Sequence, residues 1–167
     1  MSYDYDLLVI GAGSSGIAGA KQAAKYGAKV AIVESNHLGG VCVNQGCISK
    51  KLMVYAADFA KLAEDAALYG WNIHVESFDW EKFKSVRDQE VERLRQVQQK
   101  ALDQSGVEVI RDCAAFLDEH SLQVGDRKLT ADKILIAVGG KPLKPDLPGI
   151  DHTVTSDDIF YLAEIPK

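Results

Sequence analysis

Apolar residues run unbroken over Leu7-Leu8-Val9-Ile10 and again over Val30-Ala31-Ile32-Val33. Short continuous runs of this kind mark strands buried on both faces of a parallel sheet, here Tyr5 to Ile10 and Lys29 to Val33. Between them, Ile17 to Tyr26 is rich in Ala, Lys and Gln and stops at Gly27, a good helix with a natural C-terminal stop. Strand, helix and strand form one βαβ unit, whose crossover is right-handed.

Further along, the apolar spacing lengthens to three and four. Leu52, Met53, Ala56, Phe59, Ala60 and Ala63 predict a helix from Lys50 to Leu68, closed by Gly70. Trp80, Phe83, Val86, Leu94, Val97 and Ala101 predict a second, from about Asp79 to Gln104, with Gly106 as its stop. Residues 71–78 read as loop, and the charges on both helices as ordinary solvated faces. After Gly106 the period changes again. Val107–Ile110 reads as a parallel strand, and Lys133–Val138 as another buried one. Between them Ala114–Leu117, Leu122–Val124 and Lys128–Leu129 read as short antiparallel strands, turning at Glu119-His120 and Gly125-Asp126. Gly139 to Gly149 is a loop punctuated by Pro142, Pro145 and Pro148, and Ser156-Asp157-Asp158 could cap one last helical turn. The expected fold is α/β: a three- or four-stranded parallel sheet of Rossmann type, with helices and a small antiparallel meander.

Composition narrows this modestly. At 167 residues the chain is expected to be one domain, 1–167, with a single core. Lys and Arg total 19 against 24 Asp and Glu, a net charge of −5 with no basic run, which argues against nucleic acid as a partner. No apolar stretch approaches the ~20 residues of a membrane span. The start, MSYDYDLLVIGAGSSG, lacks a basic n-region and enters a strand at once, so no leader is expected and the location is expected to be cytoplasmic. Three cysteines without a leader raise a redox or metal question instead of a disulfide framework.

Chemistry enters with Gly11-Ala12-Gly13-Ser14-Ser15-Gly16, which follows a strand and opens a helix. Gly11 permits the tight turn, Gly13 lets the backbone approach a pyrophosphate, and Gly16 allows close helix–strand packing. The helix N-terminus offers unpaired N–H groups to the phosphates. Glu34 ends the second strand, where a carboxylate accepts hydrogen bonds from an adenosine ribose and repels a 2′-phosphate; FAD or NAD fits, NADP does not. The competing reading is a glycine turn with no ligand.

Cys42 and Cys47 follow in Leu38-Gly39-Gly40-Val41-Cys42-Val43-Asn44-Gln45-Gly46-Cys47. An offset of five does not give a helical face pair, so an irregular segment is expected to lead into the long helix. Cys47 would feel the positive end of that helix, worth ~0.3–1 kcal/mol to an anion. Lys50 and Lys51 add a second cationic influence, and both effects lower a thiol pKa. Two incidental buried cysteines remain an alternative. Zinc is disfavoured, because C-x₄-C is poor ligand spacing and Cys113 and His37 would have to converge by chance; no metal site is expected. Cys113 itself reads as a small buried hydrophobe.

Together, Gly39-Gly40-x-Cys42-Val43-Asn44-x-Gly46-Cys47-x-x-Lys50-Lys51, the glycine fingerprint, Glu34, Ile134–Gly140 and the segment 148–157 resemble the glutathione reductase group of flavoprotein disulfide reductases. The resemblance implies the N-terminal part of an FAD-binding domain that is incomplete relative to the family. It implies a relay from NADPH through FAD to a Cys42–Cys47 disulfide and on to glutathione disulfide. Cys47 would be the thiolate beside the flavin, Cys42 the interchange thiol, and Lys50 or Lys51 the lysine near flavin N5. Gly11, Gly13, Ser14, Ser15, Gly16, Glu34 and Ser35 would bind the cofactor along its phosphate and ribose. Gly40, Val41, Cys42, Ala114, Ala137, Gly139 and Asp157 would complete that site, while Ser14, Lys21 and Gln98 would contact substrate.

Several positions depart from the family pattern. Val41 replaces a usual threonine, Ser49 a usual proline, and Asp112 a common glycine. Lys21-Gln22 stands where many glutathione reductases carry paired arginines, and Gln98 where a tyrosine is usual. Lysine keeps the charge but loses the bidentate fork. The NADPH domain would begin just after Lys167. The isolated chain is therefore expected to be inactive alone, and the homodimer of full-length relatives is not expected of it. Rival readings are a non-catalytic flavin-binding module, a reductase of the dihydrolipoamide dehydrogenase kind, and an NAD-binding dehydrogenase fragment with incidental cysteines.

Overall fold

The computed structural model describes residues 3–166; Met1, Ser2 and Lys167, the ends of the expected 1–167 span, lie outside the described residues. The first run of apolar residues forms β1 (Tyr5–Ile10), followed by α1 (Ser14–Lys25) and β2 (Val30–Val33), and every residue of β2 is buried. A short helix α2 (Gly40–Asn44) precedes the long α3 (Cys47–Ala66), which tightens into a 3₁₀ turn at Ala67–Tyr69 and stops at the left-handed Gly70. After an irregular 71–79, α4 (Trp80–Gln104) starts on Asp79, whose carboxylate accepts from the Lys82 amide at 2.9 Å. The strands β3 (Glu108–Ile110), β4 (Ala114–Asp118), β5 (Ser121–Val124) and β6 (Arg127–Ile136) follow, and a short α5 (Ser156–Ile159) lies near the end.

The sheet order is β3-β2-β1-β6-β5-β4. Four strands are parallel, at the upper end of the expectation, and β5 and β4 continue the same sheet antiparallel. The sequence reading split residues 128–138 into two strands; the structure makes them one, β6. Its first half pairs antiparallel with β5 (Leu122 opposite Leu129), and its second half pairs parallel with β1 (Val9 opposite Leu135). The polar residues Thr130 and Asp132 sit where the strand passes from one partner to the other. Asp4 ties that point down by accepting from both the Thr130 amide and hydroxyl.

Alternation along β1 sends Val9 to one core and Leu8 to the other. Val9 packs with Ile17 and Ala20 of α1, Leu102 of α4, Ile32 and Leu38. Leu8 packs with Val33, Ala31 and the meander's Leu122, Val124 and Leu129. Each such fully buried aliphatic side chain is worth about 1.5–3 kcal/mol over leaving it in water. The meander's side chains thus complete the core on one side of the sheet, and α1 and α4 complete the core on the other. Beyond these cores the apolar stripes of the middle helices stay open: Phe59 is 73% exposed, and Val86 and Val97, placed on the apolar face of α4 by their spacing, are 56% and 45% exposed. The buried positions of α4 are Arg87, Val91 and Leu102, so the solvated-face reading of its charges fails at Arg87. That guanidinium reaches the carbonyl of Phe160 at 2.7 Å and the Asp88 carboxylate, fastening the C-terminal segment to α4. Trp80 adds a second tie, donating from Nε1 to the Leu162 carbonyl.

Candidate active site

The glycine loop joins β1 to α1 through backbone contacts that leave no room for side chains. A Cβ on Gly16 would run into the Gly11 carbonyl oxygen, so the first turn of α1 can press against the loop only with glycine there. The helix begins on Gly13 with no side-chain cap and no acidic residue in its first turn. Its leading amides therefore point outward without a protein side-chain partner, an arrangement suited to a phosphate anion. Glu34, half-buried at the end of β2, accepts from the Ala12 amide at 2.7 Å through one carboxylate oxygen and from the Asn36 amide at 2.8 Å through the other. Both oxygens are fixed in place, and each retains a lone pair for a hydroxyl donor. Gly11, Glu34, Ser35 and Ala114 line one cleft of about 200 Å³, together with Val138 and Cys113. The chain's own residues therefore fit a dinucleotide with its diphosphate on α1 and its ribose on Glu34.

Cys42 and Cys47 lie on the segment that docks against this loop. The Gly39 amide donates to the Ala12 carbonyl at 2.8 Å. Gly40, at φ +56°, passes so close to Gly13 that a Cβ would sit 2.7 Å from the Gly13 α-carbon. Phosphate loop and cysteine segment are thus in backbone contact. Instead of the irregular stretch expected, Cys42 occupies the short helix α2, and Cys47 is the first residue of α3. Two successive helix starts bring the two free thiols close together. The Cys47 thiol beside it, with burial second, pushes the Cys42 thiol above its ordinary value, while the Ser14 hydroxyl pulls the other way. The neighbouring thiol, and not a cation, is thus the largest influence on Cys42.

A larger cavity, about 890 Å³, opens between α1, α2 and α4. Cys42, Ser14, Lys21 and Gln98 all line it, although 84 residues separate the first-numbered from the last. Cys47 is exposed and is not part of that lining.

Other expected site residues are more scattered. Lys50 is exposed, and Lys51 holds its ammonium over the Tyr55 ring, 5.5 Å from the centroid, one turn further along α3. Val41 is half-exposed. Ser15 is exposed on the first turn of α1. Ala137 donates its amide to the Ile10 carbonyl beside the glycine loop, and Gly139 (φ +76°) turns the chain away in open space. Asp157 sits in α5 and lines neither cleft. Cys113, expected buried, is exposed: it lies in the connection between β3 and β4, outside both hydrophobic cores, and lines the small cleft. Among the described residues no group of three or more His, Cys, Asp or Glu side chains could hold a metal, and no helix is long and apolar enough to cross a membrane.

Sequence reasoning missed Asn44 and Arg95. The Asn44 side-chain amide donates to the Leu38 and Gly40 carbonyls, and its side-chain oxygen accepts from Arg95 Nε at 2.7 Å. Asn44 stood inside the quoted motif and offered a signal. Arg95 offered none, being one charge in a row of helix charges.

A glycine-loop cradle in backbone contact with a thiol pair is the arrangement of a dinucleotide-dependent disulfide oxidoreductase, and comparison with known proteins agrees. The family model for pyridine nucleotide-disulphide oxidoreductase matches residues 5–167, and the chain belongs to that family. Among curated relatives it is 54% identical over 167 residues to a glutathione reductase of Nostoc sp., covering 100% of this chain and 36% of that protein. Glutathione reductases of Burkholderia cepacia and Yarrowia lipolytica are each 41% identical across 98% of this chain, which spans 36% and 38% of their lengths. The chain thus spans a little over a third of the relatives it matches.

Proposed function

We propose that this chain is the part of a glutathione-disulfide reductase that holds FAD and carries the redox-active thiols. The observation that supports this best is the shared cavity: Cys42 faces the same 890 Å³ space as Ser14, Lys21 and Gln98, and its partner Cys47 does not. The Cys42 thiolate attacks one sulfur of glutathione disulfide, forming a mixed disulfide and releasing one glutathione, which takes up a proton. Cys47 then attacks the Cys42 sulfur, closing the Cys42–Cys47 disulfide and releasing the second glutathione. Two thiols are oxidised and one external disulfide is reduced. Ser14 orients the Cys42 sulfur, and Lys21 offers an ammonium to a carboxylate of the peptide. Gln98, on α4, offers the same peptide an amide.

Bound flavin would supply the two electrons that return the protein disulfide to dithiol. Gly11, Gly13, Ser14, Ser15 and Gly16 would hold its diphosphate. Glu34 and Ser35 would hold the ribose, and Ala114 would meet the adenine. Gly40, Val41, Ala137, Gly139 and Asp157 complete the proposed set, with Lys50 or Lys51 toward the flavin ring. NADPH would act through a region of the relatives that this chain does not span. A reducing, cytoplasmic setting suits a pair that cycles between thiol and disulfide.

The test is a trapping experiment on the reduced chain. With glutathione disulfide, the unaltered protein is expected to form Cys42–Cys47 and release two glutathiones per chain. Cys47→Ser should stop at a glutathione adduct on Cys42, seen by peptide mass, while Cys42→Ser should form no such adduct at an appreciable rate. Adducts confined to Cys113, or equal trapping at Cys47, would refute the assignment.

A further inference from the structure

We infer that Asn44 and Arg95 form a clip that positions the cysteine pair and sets how readily it closes to a disulfide; this rests on the redox reading of Cys42 and Cys47. Asn44 ends α2, two residues after Cys42 and three before Cys47, and four hydrogen bonds converge on it. Its side-chain amide donates to the Gly40 carbonyl at 2.8 Å and the Leu38 carbonyl at 3.2 Å, bracing the start of the cysteine segment. Its backbone carbonyl accepts from Ser49 Oγ at 3.3 Å, and Ser49 is fully buried in the first turn of α3. Its side-chain oxygen accepts from Arg95 Nε at 2.7 Å, and Arg95 is in turn paired with Glu92 at 3.3 Å, one turn earlier on α4.

The chemistry of the partners fixes this arrangement. A guanidinium only donates and a carbonyl only accepts, so Asn44 can satisfy both sides in a single amide orientation. Arg95 thereby fastens the thiol segment to α4, the helix that also brings Gln98 to the cavity. The clip also takes in Ser49, whose buried hydroxyl donates to the Asn44 carbonyl. Neither Asn44 nor Arg95 lines the large cavity, so they act through the geometry of Cys42 and not by touching substrate.

A pair already held together in the dithiol state loses little freedom when the disulfide closes. Loosening the clip should therefore disfavour the disulfide relative to the dithiol. The reaction is balanced as two protein thiols plus glutathione disulfide going to the protein disulfide plus two glutathiones.

The experiment equilibrates the chain in glutathione buffers of graded poise and measures the oxidised fraction of Cys42–Cys47 by thiol labelling and mass. Arg95→Met removes the donor. Asn44→Asp keeps the shape and the Arg95 bond but turns an oxygen toward the Leu38 and Gly40 carbonyls. Each is expected to lower the equilibrium constant for disulfide formation about tenfold, a potential about 30 mV less negative. Arg95→Lys should recover part of the loss, and 1 M KCl, with its Debye length of about 3 Å, should leave the difference in place. Circular dichroism checks that each variant is folded; if Asn44→Asp is not, the two Arg95 variants decide. Variants that are folded but unchanged in potential would overturn the clip and leave the redox reading intact. So would a difference abolished by salt, which would make Arg95 a through-space charge. An unaltered chain that never closes the disulfide would overturn both.

Discussion

Two halves of the site region are built on opposite terms. From β1 to the start of α3, the chain is pinned by backbone contacts: Gly16 under the Gly11 carbonyl, Gly40 against Gly13, Glu34 on two amides. From the middle of α3 to residue 79, large apolar side chains stand in the open, with Phe59, Leu68, Tyr69 and Trp71 each more than two-thirds exposed. Both stretches are rich in apolar residues, so composition does not separate them. The first half meets its partners inside the described chain; the second presents an apolar face that nothing among the described residues covers. Exposed apolar contiguity on this scale is unusual for a lone soluble domain.

The contrast can be broken most severely by adding one methyl group. Gly16→Ala should cost about 3 kcal/mol or more, because its Cβ meets backbone that has nowhere to go, and lower the melting midpoint by about 6–12 °C. Gly27→Ala, at φ +88° with open space around it, should cost only about 1 kcal/mol of left-handed strain. Comparable losses at both positions, read by thermal denaturation, would mean the phosphate loop is not the pinned element described here.

Arg87→Met comes next. It removes a buried guanidinium from the Phe160 carbonyl and should cost about 2 kcal/mol. Amide hydrogen exchange should show the loss of protection centred on 156–162 and not on the sheet.

A smaller effect concerns thiol chemistry. Because the neighbouring Cys47 thiol and burial raise the Cys42 thiol, alkylation at neutral pH should label exposed Cys113 several-fold before Cys42. The gap should narrow as the pH climbs past the ordinary thiol range of about 8.5. A raised folded-state value also means that this thiol's contribution to stability is complete below its unfolded pKa and fades as the pH rises through the folded one. Equal labelling at neutral pH would argue that Cys42 and Cys47 are not neighbours.

Least of all, Phe59→Ser or Leu68→Ser should change stability by no more than about 0.5 kcal/mol, the range of ordinary surface substitutions. Either should reduce binding of a hydrophobic dye. A loss of 2 kcal/mol would show that this face is covered in solution.

Legibility followed the range of the interactions. The βαβ unit, the glycine loop and Glu34 were readable because each depends on neighbours within one strand–turn–helix unit. Both turns of the meander were readable for the same reason. The division of 128–138 into two strands was mistaken because one continuous strand changes partners midway, and a single chain segment carries no mark of who lies beside it. Arg87 and Arg95 were illegible as anything but surface charges. Their partners, Phe160 and Asn44, lie 73 and 51 residues away.

The sequence by itself determined the class of fold, the position of the phosphate cradle and the presence of two cysteines beside it, since local periodicity and glycine placement are set by backbone sterics alone. Only the tertiary structure decided that these cysteines lie side by side on two successive helices, and that of the two Cys42 faces the cavity shared with Ser14, Lys21 and Gln98. It also decided that Cys113 is open to solvent. Those outcomes depend on where distant segments pack, and packing is settled by volume, burial and hydrogen-bond pairing across the whole chain.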